Sequence, residues 1–199
     1  MKILFVYPNI VESPKDISIG LATLAAVCKN KGHEVGLIDS SFGITDSEVI
    51  KKAKKFNPNL IAITIATNDF QYAAHLSTLL KKTLKVPIIA GGYHTTTAPE
   101  EVIFKECFDM ACIGEGEGTL IDVADAIEKG KSLYKIKNLW IKKTVKGKTK
   151  IIRNPVRPLI ENLDSLPIPY RELFDYKKYL EWNHGTATFI STRGCPFNC

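Results

Sequence analysis

Two cysteines three residues apart stand in the stretch Thr192-Arg193-Gly194-Cys195-Pro196-Phe197-Asn198-Cys199, directly after a segment rich in β-branched residues. Taken alone, Cys195 and Cys199 suit free thiols or half of a zinc site. A second group with chemical potential is almost uncharged: Pro8 and Asn9; Thr64, Ala66, Thr67 and Asn68; Gly91, Gly92 and His94; Gly114, Glu115 and Gly116. Threonine and asparagine offer hydrogen bonds without charge, and glycine lets a large ligand reach the backbone. Gly91-Gly92 by itself marks a tight turn as readily as a site. Glycines at 114, 116 and 118 could cradle a phosphate, but Glu115 and Glu117 would repel one and instead suit a helix N-terminus. A neutral, amide-rich ligand fits better than a nucleotide. His94 is expected to be a hydrogen-bonding partner or cofactor contact rather than a metal ligand, and His33, past a helix end, a structural residue.

These residues share a position because of the elements around them. Short apolar runs at 3–7, 35–38, 60–65, 86–90 and 110–113 suit strands buried on both faces, as in a parallel sheet. Between them, Ile17, Leu21, Leu24, Ala25 and Cys28 fall at helical spacing, with Ser18 as N-cap and Gly32 past the end. Segments 46–56, 69–84, 99–106 and 117–129 complete five βα units. The predicted fold is a doubly wound α/β domain with a five-stranded parallel sheet, Rossmann-like or flavodoxin-like. Ligands of such sheets bind outside the carboxyl ends of the strands, which is where the uncharged set collects. Residues 138–141 and 150–152 flank Lys146-Gly147-Lys148 as a β-hairpin. A proline-rich connector follows, then a short helix at 175–182 and a strand at 186–191. The expected organisation is an α/β domain over 1–132, a hairpin appendage over 133–160, a linker over 161–183 and a further unit beginning at 184–199.

The chain has 199 residues, 45% of them hydrophobic, enough for one sizeable core. The net charge of +6 comes mostly from lysines on predicted helix faces and in 142–150, without the interleaved aromatics of a nucleic-acid surface. No apolar stretch is long enough to span a bilayer and no signal-peptide pattern precedes the first strand, so a cytoplasmic protein is expected. Five scattered cysteines do not form a disulfide framework, and Cys28 and Cys112 suit small buried hydrophobes. The positions of a phosphoacceptor receiver's acids hold Tyr7-Pro8-Asn9 and Thr64-Ile65-Ala66. Neither a dinucleotide fingerprint nor a hydroxyl-rich flavin phosphate loop follows the first strand.

Arg193-Gly194-Cys195-Pro196-Phe197-Asn198-Cys199 closely resembles the opening of the radical S-adenosylmethionine signature Cys-x-x-x-Cys-x-x-Cys, whose third cysteine would lie past residue 199. The preceding chain resembles the cobalamin-binding domains fused to such barrels, through Ile19-Gly20-Leu21 with Leu24-Ala25, Gly32-His33-Glu34-Val35, Gly91-Gly92-Tyr93-His94-Thr95 with Pro99-Glu100-Glu101, Ile113-Gly114-Glu115-Gly116-Glu117, and Leu163-Asp164-Ser165-Leu166-Pro167-Ile168-Pro169. The resemblance implies that Cys195 and Cys199 are ligands of a [4Fe–4S] cluster that binds S-adenosylmethionine. It also implies cobalamin with its tail near Thr64, Thr67, Gly91, Gly92 and Gly114. Many cobalamin domains supply a histidine to cobalt from Asp-x-His-x-x-Gly, but residues 8–20 contain none, so the cofactor is expected base-off without a histidine ligand.

The implied full-length enzyme is a methyltransferase. A 5′-deoxyadenosyl radical activates an unactivated carbon or a phosphinate phosphorus of a small-molecule or natural-product substrate, and methylcobalamin supplies the methyl group. An electron donor such as ferredoxin or flavodoxin would serve it. This 199-residue portion alone is expected to be inactive and to have a poorly anchored C-terminal end. Ring contraction or oxidative cyclisation on the same architecture, a stand-alone cobalamin sensor or carrier, and a flavodoxin-like domain with two incidental thiols are the alternatives.

Overall fold

Five runs of apolar residues become five parallel strands: β1 (Lys2–Tyr7), β2 (Glu34–Asp39), β3 (Leu60–Thr64), β4 (Ile88–Gly91) and β5 (Met110–Cys112), in the order β2-β1-β3-β4-β5. The computed structural model describes residues 1–10 and 16–194; Cys195 and Cys199 lie outside the described residues. Ile3 to Val6 are all buried, as expected of a strand covered on both faces. The order reverses beside β1, because β2 lies on one side of it and β3 on the other. That reversal opens a crevice at the carboxyl ends of β1 and β3.

The sheet has seven strands rather than the expected five. β6 (Leu139–Val145) and β7 (Lys148–Arg153) form the predicted hairpin, and β6 pairs antiparallel with β5 through Met110–Ile141 and Cys112–Leu139. The hairpin thus continues the main sheet and covers what would be an exposed edge at β5. Lys146 and Gly147 both have positive φ, the backbone of a two-residue type I′ turn.

Seven helices complete the described chain: α1 (Ile19–Asn30), α2 (Asp46–Phe56), α3 (Phe70–Leu84), α4 (Tyr93–Thr97), α5 (Pro99–Phe104), α6 (Glu117–Glu128) and α7 (Tyr176–Trp182). Side chains alternate between the sheet faces. Leu4, Val6, Ile61 and Ile63 meet α2, α3 and α5, whereas Ile3, Phe5 and Ala62 meet α1, α6 and the aromatic rings of Phe174 and Tyr179. The helix starts follow their caps. Ser18 Oγ accepts from Leu21 N at 3.3 Å, and Thr45 with Glu48 makes a reciprocal capping box. Asn57 and Lys85 end α2 and α3 in the left-handed conformation.

Residues 186–191, expected as a strand, have no ladder partner among the described residues. Phe189 is 80% exposed and Ile190 61%. β-branched composition favours a pleated surface only where a neighbouring strand supplies one. The segment is nonetheless tied down: Arg171 Nη2 donates to the Thr188 carbonyl at 2.7 Å. Arg193 is held by two carboxylates, as described below.

Candidate functional site

The loops after β3 and β4 cross almost in contact. Thr64 pairs with Gly91 at the strand ends, Ile65 N donates to the Gly91 carbonyl at 2.8 Å, and His94 N donates to the Ile65 carbonyl at 3.0 Å. Gly92 lies in this crossing with φ +94°. A Cβ there would meet Ile65 N and Thr64 Oγ1 at 2.8 Å, so both conformation and space demand glycine. Gly91 is different, since a Cβ on it would meet no heavy atom within 4 Å. It borders open space.

That space is a cavity of about 550 Å³ at the carboxyl end of the sheet. Its floor is Phe5, Ala62, Ile89 and Cys112, and its mouth is Thr64, Gly91, Gly92 and Gly114. The first turns of α1 form one wall through Ser18, Gly20 and Leu24, and the start of α6 forms another through Gly116 and Leu120. The connector at 163–169 and residues Ile190 to Arg193 close the remaining side. The size falls within the roughly 300–1,000 Å³ usual for small-molecule sites. The apolar floor and the mouth hydroxyls suit an uncharged, partly aromatic ligand group, while Glu115, Glu117, Asp164 and Arg193 bring charge to the lining.

Cys112 is buried in the floor, and burial pushes its thiol up to about 11; burial pushes Cys28 up to about 12. Both are neutral packing residues near neutral pH, as the sequence suggests. Among the described residues, no group of three or more His, Cys, Asp or Glu could hold a metal ion. No helix there is long and apolar enough to cross a membrane.

Six of the twelve sequence-predicted cofactor residues come together around this cavity: Thr64, Gly91, Gly92, Gly114, Glu115 and Gly116. The other six do not line it. Pro8 and Asn9 are buried at the end of β1, where Asn9 Nδ2 donates to Ser41 Oγ at 3.0 Å. Ala66, Thr67 and Asn68 are exposed at the short 3₁₀ turn before α3. His94 belongs to the short helix α4. Its buried ring packs on Phe70 with centroids 4.5 Å apart, and Glu101 Oε2 lies 3.6 Å from Nε2. His33 has the structural place expected of it, with Nδ1 3.2 Å from the Met1 amine.

The α1 wall, the connector wall and Arg193 line the cavity without having been expected there from the sequence. For α1 a signal existed: Ile19 to Cys28 is apolar nearly all round, more than one packed face requires. Arg193 donates from Nη1 to Glu115 Oε1 at 3.0 Å and from Nη2 to Glu117 Oε1 at 2.5 Å. The loop acids thus bind a cation as well as standing at a helix N-terminus. Outside the cavity lining, Asp39 ends β2 where dinucleotide-binding folds place an acid for the ribose. Here the Tyr179 hydroxyl donates to Asp39 Oδ2 at 2.7 Å, so α7 covers that position.

The B12-binding domain family model matches residues 15–124, more than half of the chain and every element from α1 to most of α6. The chain belongs to the B12-binding domain family. An uncharacterized methyltransferase of Pyrococcus horikoshii is 35% identical over 209 residues, covering 100% of this chain and 44% of that protein. An anaerobic magnesium-protoporphyrin IX monomethyl ester cyclase of Synechocystis is 29% identical over 187 residues, covering 91% of this chain and 36% of that protein. The chain therefore spans less than half the length of these relatives. In fold it resembles the cobalamin-dependent S-adenosylmethionine radical enzyme OxsB, solved with aqua-cobalamin and S-adenosylmethionine bound. That match has a TM-score of 0.75 at 20% identity and covers 89% of this chain and 25% of that one. A B12-binding domain needs room for the cofactor's bulk, and the open space at Gly91 in the cavity mouth offers it.

Proposed function

We propose that this chain is the cobalamin-holding part of a radical S-adenosylmethionine methyltransferase and that the cofactor's nucleotide tail enters the cavity past Gly91. The observation carrying this reading is the open space over Gly91, continuous with a cavity lined for the most part by the segment matched to B12-binding domains and closed by Phe5, residues 163–169 and Ile190 to Arg193 from outside it. Thr64 supplies a hydroxyl at the mouth, Gly91 and Gly92 allow close backbone approach, and Phe5, Ala62 and Leu24 exclude water below. Residues 8–20 contain no histidine and the His94 ring is held on Phe70, so the cobalt is proposed to be base-off without a histidine ligand. When bound, methylcobalamin supplies a transferable methyl group, and a [4Fe–4S] cluster with S-adenosylmethionine supplies the radical that activates the substrate. Cys195 and Cys199 are proposed as two of the cluster ligands. The 1–132 domain and the 133–160 hairpin form one sheet in this reading, and the 161–183 linker leads across the cavity to the unit beginning at 184.

The proposed substrate is a small molecule or natural product methylated at an unactivated carbon or a phosphinate phosphorus, with ferredoxin or flavodoxin as electron donor in the cytoplasm. Oxidative cyclisation is the second reading, favoured by the 29% identity to the Synechocystis cyclase. The test is to add hydroxocobalamin to the full-length protein and reduce it to the cob(II)alamin state. Saturable binding with an EPR spectrum free of nitrogen splitting from an axial ligand supports the proposal; absence of binding, or a nitrogen-ligated cobalt, contradicts it. Methylated product against cyclised product then separates the two activities.

A further inference from the structure

Glu117 is 6% exposed, although it opens a helix at the carboxyl end of the sheet, where water is close. Burying a carboxylate is costly unless a cation accompanies it, and the cation is Arg193. The guanidinium spans both acids, with Nη1 on Glu115 and Nη2 on Glu117. Burial disfavours its charge, yet the hydrogen bonds it donates to Glu117 and Glu115 outweigh that and hold its pKa above the ordinary arginine value. Glu115 does more than pair. Its Oε2 accepts from Ile160 N at 2.7 Å and its carbonyl accepts from Asn138 Nδ2 at 2.8 Å. One residue thereby joins the loop after β5, the start of the connector, the end of the segment preceding β6, and the segment that runs on through Gly194 to Cys195.

Residues Ile190 to Arg193 are also a wall of the cavity, and among the described residues they have no strand partner to hold them there. Phe189 and Ile190 are mostly exposed, so apolar packing supplies little of their anchorage. We infer that Arg193, with Glu115 and Glu117, is a positioning latch that holds the segment before Cys195 as a wall of the cofactor cavity. This rests on the cobalamin reading for what the cavity holds, while the latch stands on the ion-pair geometry. An arginine fits because a planar fork meets two carboxylates at once; a lysine offers one point charge and restores the latch in part.

The experiment uses the full-length protein with four substitutions: Arg193→Gln, Arg193→Lys, Glu117→Gln and Glu115→Gln. Amide hydrogen exchange is followed in peptides covering 186–194, together with the rate at which bound hydroxocobalamin is released. Arg193→Gln and Glu117→Gln are each expected to speed exchange in 186–194 about tenfold, the effect of losing roughly 1.4 kcal/mol of local stability. Their combination adds little further, because each alone breaks the same pair. Cofactor release quickens by a similar factor, and Arg193→Lys recovers part of both effects. Glu115→Gln serves as the check if Glu117→Gln fails to fold. Unchanged exchange in Arg193→Gln, additive effects, or faster exchange confined to α6 overturns the latch. If the unaltered protein binds no cobalamin, the functional reading fails while the exchange experiment still decides on the latch.

Discussion

At the scale of single residues, the two adjacent glycines at the end of β4 have opposite duties. Gly92 is sterically required, so Gly92→Ala should destabilise the fold by about 1–3 kcal/mol in urea unfolding, through the close approach to Ile65 and Thr64 and the left-handed φ. Gly91 faces open space. Gly91→Leu should leave the unfolding midpoint nearly unchanged yet weaken cobalamin binding about 100-fold or more by filling the cavity mouth. The buried thiols give a pH signature. Folded Cys28 titrates near 12 and Cys112 near 11 because burial disfavours the thiolate, against about 9 unfolded. Their stability contribution is therefore complete below pH 9 and is lost as pH rises from 9 through the folded values. Each can remove up to about 1.4 kcal/mol per pH unit in that window. Cys28→Ala should lower stability at pH 7 through the lost packing while flattening the decline between pH 9 and 12, as read from unfolding curves at several pH values.

At the scale of elements, boundaries were legible where a cap or a turn is written locally. Ser18, the Thr45–Glu48 capping box and Lys146-Gly147 each fix a start or a reversal with neighbouring residues only. Long-range pairing was not legible. The hairpin was recognisable as a hairpin, but nothing within 133–160 records that β6 docks on β5, which depends on the match between Leu139, Ile141 and a core assembled elsewhere. Because Leu139 is fully buried in that core, Leu139→Ala should cost about 2–5 kcal/mol in global unfolding; a loss near zero would mean an independent appendage. The converse holds at 186–191, whose β-branched residues fit a strand but find no ladder partner among the described residues. The connector also binds through chemistry that its own sequence does not announce. Tyr179 on α7 hydrogen-bonds Asp39 and Ser41, with burial and the Asp39 charge both pushing the phenol up. Tyr179→Phe should cost about 1–3 kcal/mol by leaving Asp39 short of a donor in a partly buried setting.

At the scale of the whole molecule, a doubly wound sheet explains why residues far apart in sequence share one cavity. The chain reverses beside β1, the loops diverge there, and glycine, threonine and glutamate from three different loops converge. That much follows from fold class, and half of the predicted cofactor residues line the cavity for this reason. The walls contributed by α1, the connector and Arg193 depend on how elements outside the sheet fold back over it, which topology rules leave open. In the proposed complex this cavity receives the cofactor's nucleotide tail. Equilibrium titration of the full-length protein with cobalamin and with cobinamide, which has the corrin but no nucleotide tail, tests it most directly. Saturable cobalamin binding is expected, with cobinamide binding weaker by about 100-fold or more, a difference of about 2.7 kcal/mol. Equal affinity for the two, or no binding of cobalamin, would contradict it.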